Sequence, residues 1–288
     1  MSHVGWQALA PFGPLHQLSN AEIQLAGRIV LGFVGVVFAI ERRWPAQRRP
    51  ASAPGHRVDA MYFGVHALVG VPLMVLAGTG FSTLLARHAS WLVIPKLPAV
   101  PRAAFVVLAI IGIDAFDWIA HYGSHRINAM WRLHAVHHSQ EELSILSTFR
   151  TSPLVHVGFI VTAIPVLALA ENNATPPELL TAFACFGALP HANVRWSYGR
   201  LGRWLISPTY HRVHHRTSGR LDVNLGTLFT IWDRIARRAI FPDPTAPVPP
   251  TGLAGRPIAV EQASDRPTYV TLLFKQLCQP FIREGATP

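Results

Sequence analysis

The stretch HYGSHRINAMWRLHAVHH, residues 121–138, holds five of the fifteen histidines of this 288-residue chain. A related pattern, HRVHH, returns at residues 211–215. On a helix, residues three or four positions apart lie on one face, so each of these three boxes presents its imidazoles together. Neutral imidazole is the commonest metal ligand in proteins, and the pattern predicts a metal site rather than merely histidine-rich surface helices. The candidate ligands in the boxes are His121, His125, His134, His137, His138, His211, His214 and His215.

The composition predicts that this site belongs to a membrane protein. Half of the residues are apolar, 14% are charged, and the mean hydropathy is +0.28. Crossing a bilayer takes about 20 apolar residues. The runs 62–86 and 103–120 are long enough, and the run 29–40 becomes long enough once it is extended past Arg28, whose charge then lies at the interface. The runs 154–170 and 179–189 are shorter and predict a hairpin.

We therefore expect an all-α, polytopic membrane protein with about three spanning helices plus a helical hairpin. The histidine boxes follow the third run and would form a cytoplasmic helical cap. Five arginines lie between residues 42 and 57, whereas nothing before Arg28 is positive. The positive-inside rule then places the first loop and all histidine boxes in the cytoplasm. We expect an integral protein of a bacterial-type inner membrane with its active site on the cytoplasmic side.

The net charge of +10 comes almost wholly from arginine, since Lys96 and Lys275 are the only lysines. Many arginines lie between residues 195 and 238. In a membrane protein such a basic region predicts contact with anionic phospholipids and not with nucleic acid. An acidic electron-carrier protein is a second candidate for the same surface.

The chain divides into two parts by composition. Residues 1–240 form the predicted integral membrane domain, with the histidine-box core at 105–240. Residues 241–288 begin with a proline-rich stretch that predicts a linker. A short amphipathic helix is predicted after it, over Tyr269–Ile282.

Three further residues lie where they could serve the boxes. His191 follows the predicted hairpin and returns to the same side of the membrane, which makes it the ninth candidate ligand. Asp114 and Asp117 precede His121 by seven and four positions, so they share its helical face. Metal-bound histidines usually donate their second N–H to a carboxylate or carbonyl, and these two aspartates are candidate acceptors. They could equally be intramembrane carboxylates that pair with something else.

The order of the boxes and their flanks resembles the fatty acid hydroxylase and sterol desaturase superfamily of membrane di-iron oxygenases. Residues 130–139, MWRLHAVHHS, look like that family's central box, and residues 208–215, PTYHRVHH, look like its last. Asp222-Val-Asn224 and Trp232-Asp233 resemble its closing segment, which adds Asn224 to the residues expected beside the ligands. The resemblance covers about residues 105–240.

This resemblance implies that nine histidines hold two iron ions and that dioxygen is the co-substrate for attack on a C–H bond of a membrane lipid. No catalytic residue beyond the metal site is implied. Borderline imidazole ligands suit iron and zinc alike, but closed zinc sites use four ligands, usually including thiolates. Since the sequence has no flavin or nicotinamide fingerprint, a separate electron donor is expected, of the ferredoxin or cytochrome type with its reductase. The same site could instead desaturate the lipid.

Two other classes of membrane protein fit the sequence less well. A metal transporter would place ionisable residues near the membrane midplane, whereas here they gather at one interface. A haem-b anchor needs one or two axial histidines and not clusters of three.

Overall fold

The computed structural model describes residues 20–48, 54–88, 101–155, 177–243, 245–253 and 269–281. Within these ranges the fold is mostly helical and has no strand, apart from two isolated bridges that join Leu205 to Phe229 and Arg216 to Thr251. The prediction of a helical protein is thus confirmed. In chain order the α-helices are α1 Asn20–Arg43, α2 Pro54–Val65, α3 Val71–His88, α4 Arg102–Arg126, α5 Asn128–His138, α6 Pro177–Ala188, α7 Pro208–His214, α8 Ile231–Ile235 and α9 Tyr269–Cys278.

Among the described residues, two helices are long and apolar enough to cross a membrane, over Gln24–Arg43 in α1 and Val106–Arg126 in α4. Large apolar side chains such as Leu31, Val36 and Leu108 are exposed on them. Exposed apolar faces of this length fit a lipid environment, because apolar side chains that contact lipid tails avoid the free-energy cost of exposure to water. These helices contain the first and third apolar runs of the sequence.

The remaining predicted spans are described only in part. The run 62–86 continues from α2 through a π-helical turn, His66–Gly70, into α3. The second arm of the predicted hairpin is α6. Most of the first arm, from residue 156 onward, lies outside the described residues.

Two buried apolar clusters hold the helices around the histidine boxes. In the first, Val34 and Val37 of α1 pack with Ile145 and Phe149 of a 3-10 turn and with Ala188 at the end of α6. This contact places the residues after α6, including His191, beside the 3-10 turn that follows α5.

The second cluster joins the C-terminal helix to the same core. Leu272 of α9 packs with Val58 and Tyr62 of α2 and with Val136 of α5. Helix α5 begins after Ile127, whose extended conformation (φ −103°, ψ 116°) ends α4 and lets the chain fold back along it. The first box, on α4, therefore faces the central box on α5.

Candidate metal centre

The nine candidate histidines gather into two groups, and within each group the ligand nitrogens all lie within 4.8 Å of one another. We name these groups cluster A and cluster B. Cluster A contains His121, His125, His134, His138 and His214. Cluster B contains His137, His191, His211 and His215.

Each His-x-x-His-His box is divided between the two clusters. In the central box His134 and His138 belong to cluster A and His137 to cluster B; in the last box the allocation is reversed, with only His214 in cluster A. The reason is helical geometry, because residues i and i+4 lie on one side of a helix face and residue i+3 lies on the other. The boxes on α5 and at α7 thus make the two clusters direct neighbours.

The spacing of the nitrogens fits shared ions. The Nε2 atom of His191 lies 3.0 Å from Nε2 of His137 and 3.0 Å from Nε2 of His211. In cluster A the Nε2 atoms of His121 and His134 are 3.1 Å apart. Two nitrogens at right angles on one ion, each at about 2.1 Å, would be roughly 3 Å apart.

Buried ring nitrogens support the same conclusion. Nε2 of His138 and Nε2 of His214 are buried and make no hydrogen bond in the described structure. A buried polar atom without a partner costs free energy, and a bound ion would remove that cost. The residues present therefore fit a pair of metal ions.

Burial keeps these rings in the form that binds metals. Desolvation is the largest cause that lowers the pKa of His134, His138 and His214 far below the ordinary value. It likewise lowers the pKa of His137 to about 4 and that of His211 to about 3. The rings are consequently neutral near pH 7, and only a neutral imidazole has a nitrogen lone pair free for a metal.

Three histidines of cluster A are oriented through their second ring nitrogen. Nδ1 of His121 donates to the carbonyl oxygen of Leu225 at 2.7 Å, and Nδ1 of His214 donates to that of Val223 at 2.9 Å. Nδ1 of His125 lies 3.0 Å from a carboxylate oxygen of Asp222. Each contact fixes the tautomer and directs Nε2 toward cluster A.

The segment 222–225 is held in place by Asn224. Its amide group donates to the carbonyl oxygens of Tyr210 and Ile240 at 2.9 and 2.8 Å and accepts from the Ile240 N–H at 2.7 Å. Both Asp222 and Asn224 have positive φ values, 54° and 56°, which Asp and Asn tolerate better than most residues. Asn224 therefore acts on the histidines through the backbone around it.

Asp114 and Asp117 do not accept hydrogen bonds from a histidine in the described structure, which corrects our expectation. The Asp114 carboxylate accepts from the Leu228 N–H and the Trp232 indole N–H, each at 2.7 Å, and Asp117 accepts from the Thr227 hydroxyl. The face of α4 that bears them packs against the chain after Leu225. The alternative interpretation is the correct one: these carboxylates lie within an apolar stretch and pair with groups other than the histidines.

Asp233 is a central residue that the sequence analysis missed as part of the site. Its fully buried carboxylate accepts from the Trp118 indole at 2.9 Å, the Tyr210 hydroxyl at 3.0 Å, and the N–H groups of Leu225 and Gly226 at 2.8 and 3.0 Å. It thereby ties α4, α7 and the segment that orients His121. The Trp232-Asp233 pair was its only signal in the sequence.

A buried ion pair supports cluster B. Nε of Arg150 lies 2.6 Å from Oδ1 of Asp59, and both side chains are fully buried. The Arg150 guanidinium also donates to the Gly55 carbonyl oxygen, while the carbonyl oxygen of Arg150 lies 3.3 Å from Nδ1 of His137. Nothing in the sequence pattern pointed to this pair, since neither residue belongs to a box.

A third polar network places His191 and His211. Glu41, at the end of α1, accepts from the N–H groups of Ile145 and Asn193 at 3.0 and 2.8 Å. Arg212 donates to the Asn193 side chain at 3.0 Å and to Gln47 at 3.1 Å. Both residues beside the ligands, Arg212 and Asn193, are thus fixed to the end of the first candidate span.

Comparisons with known proteins agree with this geometry. Residues 106–237 match the profile of the fatty acid hydroxylase family. Ornithine lipid hydroxylase OlsE of Rhizobium tropici is 26% identical over 275 residues, which cover 89% of this chain and 76% of that protein. Alkylglycerol monooxygenase of Homo sapiens is 30% identical over 133 residues, 44% of this chain but only 28% of that protein. No solved structure matches the chain.

Proposed function

Because the chain belongs to the fatty acid hydroxylase superfamily of membrane histidine-box oxygenases, we propose that it hydroxylates a C–H bond of a membrane lipid with dioxygen. Its relatives are named hydroxylases and monooxygenases, and this chain is an oxidoreductase of the same kind. The observation that carries the proposal is the pair of adjoining histidine clusters at the end of an apolar helix.

We assign two iron ions to these clusters, with His121, His125, His134, His138 and His214 around one and His137, His191, His211 and His215 around the other. Nine imidazoles are too many for one ion, and a closed zinc site would use four ligands, usually with thiolates. The bound irons would supply dioxygen activation and the oxidising power to break a C–H bond.

The protein's own groups prepare this site before any reaction begins. Backbone carbonyls of Leu225, Val223 and Arg150 hold the Nδ1–H groups of three histidines, so that their Nε2 atoms point inward. Burial of most of the rings limits their contact with bulk water. A preorganised site needs little rearrangement when the ions and the lipid bind.

The membrane arrangement completes the proposal. We propose three spanning helices plus a hairpin, with the histidine boxes in a cytoplasmic cap of an inner membrane of the bacterial type. The two candidate spans and the arginine-rich first loop support it. His121 and His125 lie at the end of the span in α4, where an apolar chain from the bilayer can reach them.

External electrons are required, and we propose a separate donor of the ferredoxin or cytochrome type with its reductase. Six arginines between residues 195 and 237 are exposed and would meet an acidic donor or anionic phospholipids. They are Arg195, Arg200, Arg203, Arg220, Arg234 and Arg237.

A labelled-dioxygen experiment tests the reaction. Iron-loaded enzyme in detergent is incubated with a membrane lipid extract, an electron donor with its reductase, and ¹⁸O-labelled dioxygen. We expect one labelled oxygen atom to enter each lipid product, and we expect His215→Ala to abolish incorporation. His88→Ala is the matched control, because His88 is exposed on α3 and belongs to neither cluster.

A desaturase is the second candidate, since the same metal centre could remove two hydrogens from the chain. It would give a product two mass units lighter that contains no label. That outcome would overturn the hydroxylase proposal and establish the alternative.

A further inference from the structure

A cleft of about 450 Å³, including its open mouth, lies against cluster A and not against cluster B. Three of the five histidines of cluster A form one of its walls, whereas no residue of cluster B lines it. The histidines in this wall are His125, His138 and His214. The cleft is thus a route by which a molecule could reach one of the two clusters.

The walls next to the histidines are apolar. Trp131 packs at ring-centroid distances of 5.3 Å from His125 and 5.5 Å from His138. Leu221, which is 40% exposed, and Leu253 also line the cleft. These side chains suit a hydrocarbon chain, which gains free energy when it leaves water.

The polar side of the cleft carries one guanidinium and one carboxylate, those of Arg216 and Asp222. Arg216 donates one hydrogen bond to the carbonyl oxygen of Arg220 at 2.7 Å, while its Nε is buried and has no hydrogen-bond partner in the described structure. The nearby carboxylate of Asp222 is used by His125 through Oδ1. A guanidinium with unused N–H groups is suited to carboxylate or phosphate oxygens.

A fixed backbone segment closes the remaining side. The N–H of Gly252 donates to the His215 carbonyl oxygen at 3.2 Å, and the Thr217 N–H donates to that of Pro250 at 3.1 Å. Gly252 has φ +133°, and a β-carbon there would lie only 3.2 Å from Glu141. Only glycine adopts this conformation without strain, and Gly252 itself lines the cleft.

We propose that this cleft binds one acyl chain of a lipid whose polar end is anionic, with the chain against Trp131, Leu221 and Leu253 and the anion at Arg216. The proposal deepens the proposed function, on which it rests, by naming the substrate class and its orientation. The enclosed space of the cleft is about 80 Å³, well below the range of about 300–1,000 Å³ usual for sites that hold a whole small molecule, so it holds only a short stretch of the chain. The remainder of the chain stays in the membrane.

Photo-crosslinking tests the proposal without relying on turnover. Iron-loaded enzyme in detergent is irradiated with a fatty acid that carries a mid-chain diazirine, and adducts are mapped by peptide mass spectrometry. We expect adducts on the peptides that contain Trp131, Leu221 or Leu253. Phosphatidic acid with the same chain is a parallel probe, and whichever probe labels the cleft identifies a carboxylate or a phosphate as the anion. The fatty alcohol, which lacks the anion, should label roughly tenfold less.

Variants separate the charge from the apolar wall. Arg216→Ala should lower labelling of the cleft by the fatty acid roughly tenfold, and Arg216→Lys should retain part of it. Arg87→Ala is the matched control and should label like the parent, since Arg87 is exposed on α3 and does not line the cleft. Leu221→Trp fills the cleft from an exposed position and should block all three probes.

Adducts that map only elsewhere, or equal labelling in the Arg216→Ala and Arg87→Ala variants, would overturn the cleft proposal. Iron content and labelled-oxygen incorporation are measured on the same preparations. Oxygen incorporation with no labelling of the cleft would overturn the cleft proposal and leave the proposed function standing. Labelling of the cleft without oxygen incorporation defeats the proposed function and leaves the cleft as a lipid site.

Discussion

Nδ1 of His121 lies 2.7 Å from the carbonyl oxygen of Leu225, which joins the end of a candidate membrane span to a loop 104 residues later in the chain. The Leu225 N–H in turn donates to Asp233 at 2.8 Å. One residue of the loop therefore links a metal-binding candidate to a buried carboxylate. The geometry of cluster A consequently depends on residues that bind no metal themselves.

The first prediction concerns metal content. Since each cluster offers enough imidazoles for one ion, iron-loaded protein should contain about two irons per chain. His137→Ala removes a residue of cluster B and His214→Ala one of cluster A, so each should lower the content to about one iron or less. Elemental analysis of detergent-purified protein provides the measurement, and His88→Ala the control. A full load of iron in either variant would contradict the ligand assignment.

The second prediction concerns Asp233. Replacement by Asn keeps the shape but turns one acceptor oxygen into an N–H₂ group that must face a backbone N–H. Such an unsatisfied buried donor costs about 1–3 kcal/mol. We expect Asp233→Asn to lower both the midpoint of thermal unfolding and the iron content. Asp243→Asn, an exposed carboxylate that accepts only from Thr245 in the described structure, should change neither. Similar behaviour of the two variants would disprove the positioning role of Asp233.

The third prediction concerns the buried pair of Arg150 and Asp59. Asp59→Leu leaves the guanidinium buried without its counter-charge, which typically costs about 3–5 kcal/mol. The double variant Asp59→Leu/Arg150→Met removes both charges and should recover much of that loss, because apolar replacement of a whole buried pair is often tolerated. Thermal unfolding in detergent measures both. A double variant that is no more stable than Asp59→Leu would show that the charges are not coupled.

The fourth prediction concerns membrane orientation. Reporter fusions at Arg49 and Arg216 should report cytoplasm, and a fusion at Lys96 should report the opposite side. The physical reason is that arginines in short loops resist transfer across the membrane. A cytoplasmic control fusion after Arg238 should agree with the one at Arg216. Cytoplasmic signal at Lys96, or external signal at Arg216, would refute the proposed arrangement.

The sequence by itself determined the helical class, the two apolar helices that are long enough to cross a membrane, and the set of histidines that the fold brings together. These features depend on local periodicity and composition. HYGSH and the two His-x-x-His-His boxes align imidazoles on helix faces whatever surrounds them, because helical geometry is set by the backbone. His191 was recognisable from its place after the hairpin, although it lies alone in the sequence.

Only the tertiary structure decided which histidine joins which cluster and which groups hold them. Helix geometry separates His137 from His138, but which histidines of the other elements join each of them depends on how α5 and α7 face each other, and that depends on packing between distant residues. Likewise Asp114 had the right helical spacing to serve His121, but a loop more than 100 residues away provides other donors for it. Hydrogen bonds between such distant residues follow from the folded shape of the chain, which local spacing does not encode.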